Sequence, residues 1–161
     1  MYPFDPSSPV SADFRDSVSA RILSFLDDEK RVIDAIGAEL SPVLDAARDY
    51  TAGGKRLRPA FCYWGHAAAA DQPTEPAGLL QAAASLELLH VSALVHDDLM
   101  DHSDTRRGLP SVHRHFEAAH GIAHGDGPAE QFGFDIAILL GDLLLMWSSQ
   151  MFTSAPVKAD R

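Results

Sequence analysis

No stretch of this 161-residue chain alternates apolar and polar residues with the period of two that a half-buried strand needs. Apolar residues recur at helical spacing instead. Val18, Ile22, Phe25 and Leu26, then Val32, Ile33, Ile36 and Leu40, mark a helical stretch from Ser11 to about Arg48, which Pro42 kinks or divides. Ala52-Gly53-Gly54 breaks the pattern, and Pro59 suits the first turn of a helix reaching about Ala70. A Pro-rich loop, Asp71 to Pro76, precedes a helix from about Ala77 to Asp101 that is rich in Ala and Leu. Ser103 to Pro110 reads as a polar loop, Val112 to about His120 as a short helix, Gly121 to Gly133 as a Gly-rich loop, and Phe134 to Phe152 as a last helix. The fold class is therefore all-α. Residues 1–10, Pro- and Ser-rich, form a loose leader, and residues 11–161 belong to one domain.

An apolar share of 46% with moderate charge marks a globular chain with a real core. The net charge of −10 argues against nonspecific nucleic-acid binding and against an anionic membrane surface. The most hydrophobic window, Phe132 to Phe152, is interrupted by Asp135 and Asp142, so it reads as a buried core helix and not a membrane span. Cys62 is the one cysteine, which precludes an intramolecular disulfide and fits a reducing, cytoplasmic setting; no signal peptide is evident.

The chemistry concentrates at Asp97-Asp98-Leu99-Met100-Asp101. Asp97 and Asp101 lie one helical turn apart on one face, where like charges repel by roughly 0.2–0.5 kcal/mol. That arrangement suggests a counter-ion, and carboxylate oxygens suit Mg²⁺. His90 and Leu94 continue the stripe, with His90 about 10 Å from Asp97 along the axis. His90 is either a satisfied core histidine or a ligand contact.

Two basic motifs accompany the carboxylates. In Gly53-Gly54-Lys55-Arg56-Leu57-Arg58-Pro59, glycines allow close backbone approach while Lys55 and Arg58 stand at a helix start. The segment reads as a phosphate cradle or as a solvated basic turn; it lacks the Walker A spacing. Arg106-Arg107-Gly108 is a surface pair or a second anion site. Asp142, in a very apolar run, is costly to bury unpaired, so it faces a cavity shared with these motifs or hydrogen-bonds a neighbouring helix. His96, His113 and His115 read as structural or exposed.

In combination and in this order, the Gly53–Pro59 motif, His90 six residues before Asp97-Asp98-x-x-Asp101, and Thr105-Arg106-Arg107-Gly108-x-Pro110-x-x-His113 resemble the trans-type isoprenyl diphosphate synthases. The resemblance runs from about Gly53 to Trp147. Class I terpene cyclases share an aspartate-rich motif, but the Lys55–Arg58 and Arg106–Gly108 elements are not expected of them.

The resemblance implies an antiparallel helical bundle around a deep cavity, and a prenyltransferase that condenses isopentenyl diphosphate with an allylic diphosphate (dimethylallyl, geranyl or farnesyl). Lys55, Arg58, His90 and Arg107 would hold isopentenyl diphosphate. Asp97 and Asp101 would bind Mg²⁺ bridging to the allylic diphosphate, Asp98 would support them, and Arg106 would contact that diphosphate directly. Small residues at Ser92 and Ala93 would leave the cavity floor open, for a geranylgeranyl or longer product. The complete enzyme would be a homodimer. Family members are about twice as long and carry a second aspartate-rich motif, which nothing after Asp142 resembles. The chain is thus expected to be an N-terminal half, inactive alone, or alternatively a non-catalytic subunit that pairs with a full-length synthase.

Overall fold

The computed structural model describes residues 3–70, 76–123 and 125–156, and over these the chain is helical apart from one two-stranded hairpin. The Ser11 hydroxyl accepts the Phe14 amide at 3.3 Å and opens α1 (Ala12–Ile36), satisfying one of the unpartnered amides of a first turn. Phe14, Val18, Ile22, Leu26 and Ile33 form its buried stripe. The break falls earlier than Pro42. Gly37 ends α1, Ala38–Leu40 makes one 3₁₀ turn, and Pro42 stands in the first turn of α2 (Ser41–Thr51). A proline there forfeits no intrahelical hydrogen bond.

After the Gly53-Gly54 turn come α3 (Leu57–Ala69) and α4 (Pro76–Met100). The expected loop from Asp71 lies, up to residue 75, outside the described residues. The expected polar loop contains a hairpin: β1 (Thr105–Arg106) runs antiparallel to β2 (Leu109–Pro110), with Thr105 opposite Pro110 and Arg106 opposite Leu109. α5 (Val112–Ile122) follows, and then α6 (Ala129–Thr153), which starts five residues before its expected position. Gly133 reads as a loop residue but sits inside α6, where a Cβ would lie 2.3 Å from the His113 carbonyl oxygen. Its missing side chain lets α5 and α6 touch backbone to backbone.

α4 is the central element, packed most extensively on α6 and then on α3 and α1. Gln81 donates to the Met151 carbonyl at 3.0 Å, Ser148 donates to the Ser85 carbonyl at 2.9 Å, and His96 meets the Ile138 carbonyl at 3.3 Å. Partner numbers on α6 fall as those on α4 rise, so the pair is antiparallel. Leu88, Leu140 and Leu144 are fully buried in this interface, each contributing about 1.5–3 kcal/mol by removal from water. Glu29 ties α1 to α6, its carboxylate accepting from Trp147 Nε1 at 3.1 Å and Gln150 Nε2 at 2.6 Å. The segment before α1 has no helix but is held down. Phe4 packs edge-on against Phe14 and Tyr63, with ring centroids 5.2 and 5.4 Å apart, and the Pro9 carbonyl accepts from Trp64 Nε1.

By length and composition α4 and α6 are both apolar enough to cross a bilayer. α4 is mostly buried within the bundle. α6 is not the wholly buried helix its sequence suggests: Ile138, Leu139, Leu145, Met146 and Phe152 are exposed along one side.

Candidate functional site

α4 ends on three carboxylates at the pole of the helix where the macrodipole is negative, so each one opposes the dipole. The chain is turned there by a Schellman arrangement, with Ser103 N–H bonding the Asp98 carbonyl and His102 N–H the Leu99 carbonyl. His102 takes the left-handed position at φ 52°, where glycine is usual. Asp97 and Asp101 are exposed, whereas Asp98 is buried. Arg106 Nε donates to both Asp98 oxygens at 2.8 Å, Arg106 Nη2 lies 2.5 Å from Asp98 Oδ1, and its contact to Asp97 is longer, 3.4 Å. Hydrogen bonding to Asp98, followed by the charges of Asp98, Asp97 and Asp101, makes Arg106 hold its proton more tightly than usual. Asp98 thus faces inward to the arginine, while the other two carboxylates, Asp97 and Asp101, are exposed.

The hairpin places the second arginine. Arg107 and Gly108 are the two loop residues and both have positive φ, 53° and 81°. This is the signature of a type I′ turn, which matches the twist of adjoining strands. Arg107 occupies a conformation disfavoured by roughly 1–2 kcal/mol for a residue with a Cβ. Its guanidinium lies over Gly54: a Cβ built on that glycine would be 3.8 and 3.9 Å from the two Nη atoms. Gly53 and Gly54 have φ of 68° and 93°, so the turn beneath Arg107 needs glycine.

Arg56, for which the sequence offered no role, anchors this turn. It is buried at φ 52°; Nη1 pairs with Glu87 at 3.0 Å, and Nη2 donates to Ser19 Oγ at 3.0 Å and the Thr51 carbonyl at 2.9 Å. One guanidinium thereby fastens the basic loop to α1, α2 and α4. Glu87, a lone acid in the apolar run of α4, is the available signal, since a buried carboxylate demands a partner. Lys55 and Arg58, on either side of Arg56, are left exposed.

His90 is half-buried on α4. Burial and then the Arg58 charge, with smaller contributions from Arg107 and Arg106 and opposition from Glu87, lower its proton affinity below the usual imidazole value. Three elements thus converge on one positive region: Arg58 from α3, His90 from α4 and Arg107 from the hairpin. Beside it is a cavity of about 280 Å³ whose apolar wall includes Tyr50, Val91, Leu94, Val95 and Leu109, with Asp49, Asp98, Arg106 and Arg107 as its charged members. Tyr50 Oη donates to the Pro110 carbonyl.

Of the other histidines singled out in the sequence, His96 and His113 are set against neighbouring residues and His115 lies on the surface. The His96 ring covers Gly141 and lies 3.7 Å from the exposed Asp142 carboxylate. His113 is buried with Nδ1 3.2 Å from Ser111 Oγ, and burial lowers its proton affinity. His115 is exposed. Among the described residues no three His, Cys, Asp or Glu side chains gather to hold a metal by themselves.

Comparison with known proteins places the chain. Residues 41–160 match the polyprenyl synthetase family. Solanesyl diphosphate synthase 2 of Arabidopsis thaliana is 33% identical over 150 residues, covering 88% of this chain and 30% of the relative. Nonaprenyl diphosphate synthase of Mycobacterium tuberculosis is 33% identical over 132 residues, covering 82% and 32% respectively. The crystal structure of geranylgeranyl pyrophosphate synthase from Corynebacterium glutamicum, complexed with isoprenyl diphosphate and magnesium, superposes with a TM-score of 0.88 at 38% identity, over 97% of this chain and 43% of that one. The chain thus matches about a third of the length of these curated relatives. With an all-α fold that superposes on a solved synthase and a family match over most of its length, the chain belongs to the polyprenyl synthetase family.

Proposed function

We propose that these residues are the diphosphate-binding part of a head-to-tail prenyltransferase that joins isopentenyl diphosphate to an allylic diphosphate. The observation that carries the reading is the perch of Arg107. A non-glycine residue is held at positive φ with its guanidinium over Gly54, next in sequence to Lys55, and its charge, like that of Arg58, acts on His90. Backbone strain at a charged hairpin tip is retained where it serves binding. Lys55, Arg58, His90 and Arg107 hold the diphosphate of isopentenyl diphosphate, and the adjacent apolar cavity takes its hydrocarbon end.

Asp97 and Asp101 suit Mg²⁺. Mg²⁺ commonly takes one or two carboxylates and completes its shell with substrate phosphate and water. Two exposed carboxylates against a helix dipole fit that pattern, and cation binding relieves their repulsion. Mg²⁺, when bound, supplies positive charge to the leaving allylic diphosphate. Arg106 adds a fixed positive charge beside Asp97. Positive groups aimed where charge develops favour cleavage of the allylic C–O bond. Apolar walls keep water from the allylic cation, and the isopentenyl double bond, held by its own diphosphate, attacks it. The proton lost afterwards goes to the departing diphosphate.

Product length follows from the exposed arc of α4. Ala93 and Leu89 are exposed on the side of Asp97, whereas Ser92 is buried. Ala93 is then the position that floors a growing chain, and its small size favours a geranylgeranyl or longer product. The exposed apolar side of α6 supports a further subunit contact, a homodimer in the complete enzyme, and the single free cysteine supports a cytoplasmic setting. The exposed carboxylates Asp97 and Asp101 face no second acidic cluster among the described residues, so the chain alone binds isopentenyl diphosphate without turnover. The test mixes the purified chain with Mg²⁺, isopentenyl diphosphate and farnesyl diphosphate. Binding without elongation is expected, and an elongated product overturns the inactive-alone reading.

A further inference from the structure

A two-residue ladder does not hold its own shape in water, yet the Arg106–Arg107 hairpin carries its tip residue in a conformation that favours glycine. Something outside the hairpin fixes it. On the β1 side the fastening is Arg106 to Asp98 on α4. The base is closed by Ser111 N–H to the Asp104 carbonyl at 2.9 Å and by Arg114 to Asp104 at 2.7 Å. On the β2 side the fastening is one phenol, Tyr50 at the end of α2, whose hydroxyl donates to the Pro110 carbonyl. Pro110 has no amide hydrogen, so its carbonyl is its only backbone hydrogen-bonding group.

We infer that Tyr50 is the positioning residue of the arginine hairpin: its hydroxyl, bound to the Pro110 carbonyl, holds Arg107 over Gly54. Asp98 and Tyr50 grip opposite strands from opposite helices, so the tip between them is aimed and not merely present. The Tyr50 ring also walls the cavity shared with Arg107 and Leu109. Burial, with the charges of Asp98 and Asp49, raises the phenol to about 12, so the hydroxyl stays a donor throughout the working pH range.

The consequence for ligand binding rests on the diphosphate reading above, but the clamp itself does not. Tyr50→Phe removes the hydroxyl and keeps the ring. Trypsin reports on the hairpin directly, because the bonds after Arg106 and Arg107 lie at its tip. In the 161-residue chain, cleavage at these two bonds is expected to be roughly three- to tenfold faster in Y50F, the range for one lost hydrogen bond. Cleavage after Arg31 in α1 is expected to stay unchanged, and the thermal midpoint to fall by no more than about 5 °C. Calorimetric titration with isopentenyl diphosphate should show a similar fold loss of affinity in Y50F. Unchanged hairpin cleavage in Y50F overturns the inference, as does acceleration at Arg31 to the same degree, which would mark a general loosening. Faster hairpin cleavage in Y50F, combined with no binding of isopentenyl diphosphate by the unaltered chain, upholds the clamp and removes the diphosphate reading.

Discussion

Asp98 grips Arg106 through both carboxylate oxygens, each 2.8 Å from Arg106 Nε, and so joins the buried turn of α4 to the first strand of the hairpin. Asp98 is 2% exposed and Arg106 27%. Removal of the arginine leaves a buried carboxylate without its cation, a loss on the order of 3–5 kcal/mol for fully buried pairs. With Arg106 a quarter exposed, Arg106→Ala is expected to cost about 3 kcal/mol in urea denaturation. A loss below about 1 kcal/mol would show that the pair is solvated and does not anchor the hairpin.

Two helical glycines separate backbone contact from side-chain contact. A Cβ on Gly133 would lie 2.3 Å from the His113 carbonyl oxygen, and one on Gly141 would lie 2.1 Å from His96 Nε2. The first clash is with backbone and forces α5 away from α6. The second meets the end of the His96 side chain, which can turn aside at the cost of its contact with the Ile138 carbonyl, and replacing glycine by alanine in a helix returns about 1 kcal/mol of propensity. Gly133→Ala should therefore destabilise by about 2 kcal/mol or more, and Gly141→Ala should stay within about 1 kcal/mol of the parent. Urea midpoints in the reverse order would contradict this account of the α6 interfaces.

Stability should fall between pH 7.5 and 5.5. His90 and His113 both bind protons less readily in the fold than at the ordinary value of 6.5. The unfolded chain therefore takes up more protons below pH 6.5, and the unfolding free energy drops as pH falls through that value toward the folded pKa values. Unfolding midpoints across this range test the sign, and His113→Gln should flatten the slope. A chain that becomes more stable on acidification would exclude both shifts.

Ala93 and Ser92, adjacent in sequence, should respond differently to one substitution. Ala93 is exposed on the arc below Asp97, and Ser92 is 3% exposed within the bundle. In a complete enzyme bearing this segment, Ala93→Phe is expected to shorten the product. Ser92→Phe is expected to overpack the interior and destabilise by about 1–3 kcal/mol. Product length can be read by chromatography of the dephosphorylated alcohols; an unchanged product in A93F would refute the floor assigned to Ala93.

Much of this architecture could be read from the sequence, because the helices carry strong periodic stripes and the charged motifs sit at their ends. The limits of α4 were legible to within a residue, and Val18, Ile22, Leu26 and Ile33 of the α1 stripe were legible too. Val32 and Ile36, which fit the same periodicity, are exposed, and Phe14 is buried without having stood out. The hairpin was not, since Arg107-Gly108 replaces the Asn-Gly that usually announces a type I′ turn. Pro42 misplaced the α1–α2 break because proline is as much at home in a first turn as at a kink. Gly133 suggested a loop because a glycine demanded by helix contact looks the same in sequence as one demanded by a turn. At the site, spacing grouped Asp97, Asp101 and His90 on one face. It could not show that Asp98 and Arg106 bind each other, or that Arg56 is buried on Glu87, because those contacts depend on how separate helices meet.

The most direct test of the central claim is calorimetric titration of isopentenyl diphosphate into the 161-residue chain and its variants. Saturable binding in the absence of Mg²⁺ is expected. Lys55→Ala, Arg58→Ala and Arg107→Ala should each weaken it by about tenfold, as for a lost charge-assisted contact, while Asp97→Asn and Asp101→Asn leave it intact. An affinity unchanged by Arg107→Ala, or no binding at all, would contradict the assignment of these residues to an isopentenyl diphosphate site.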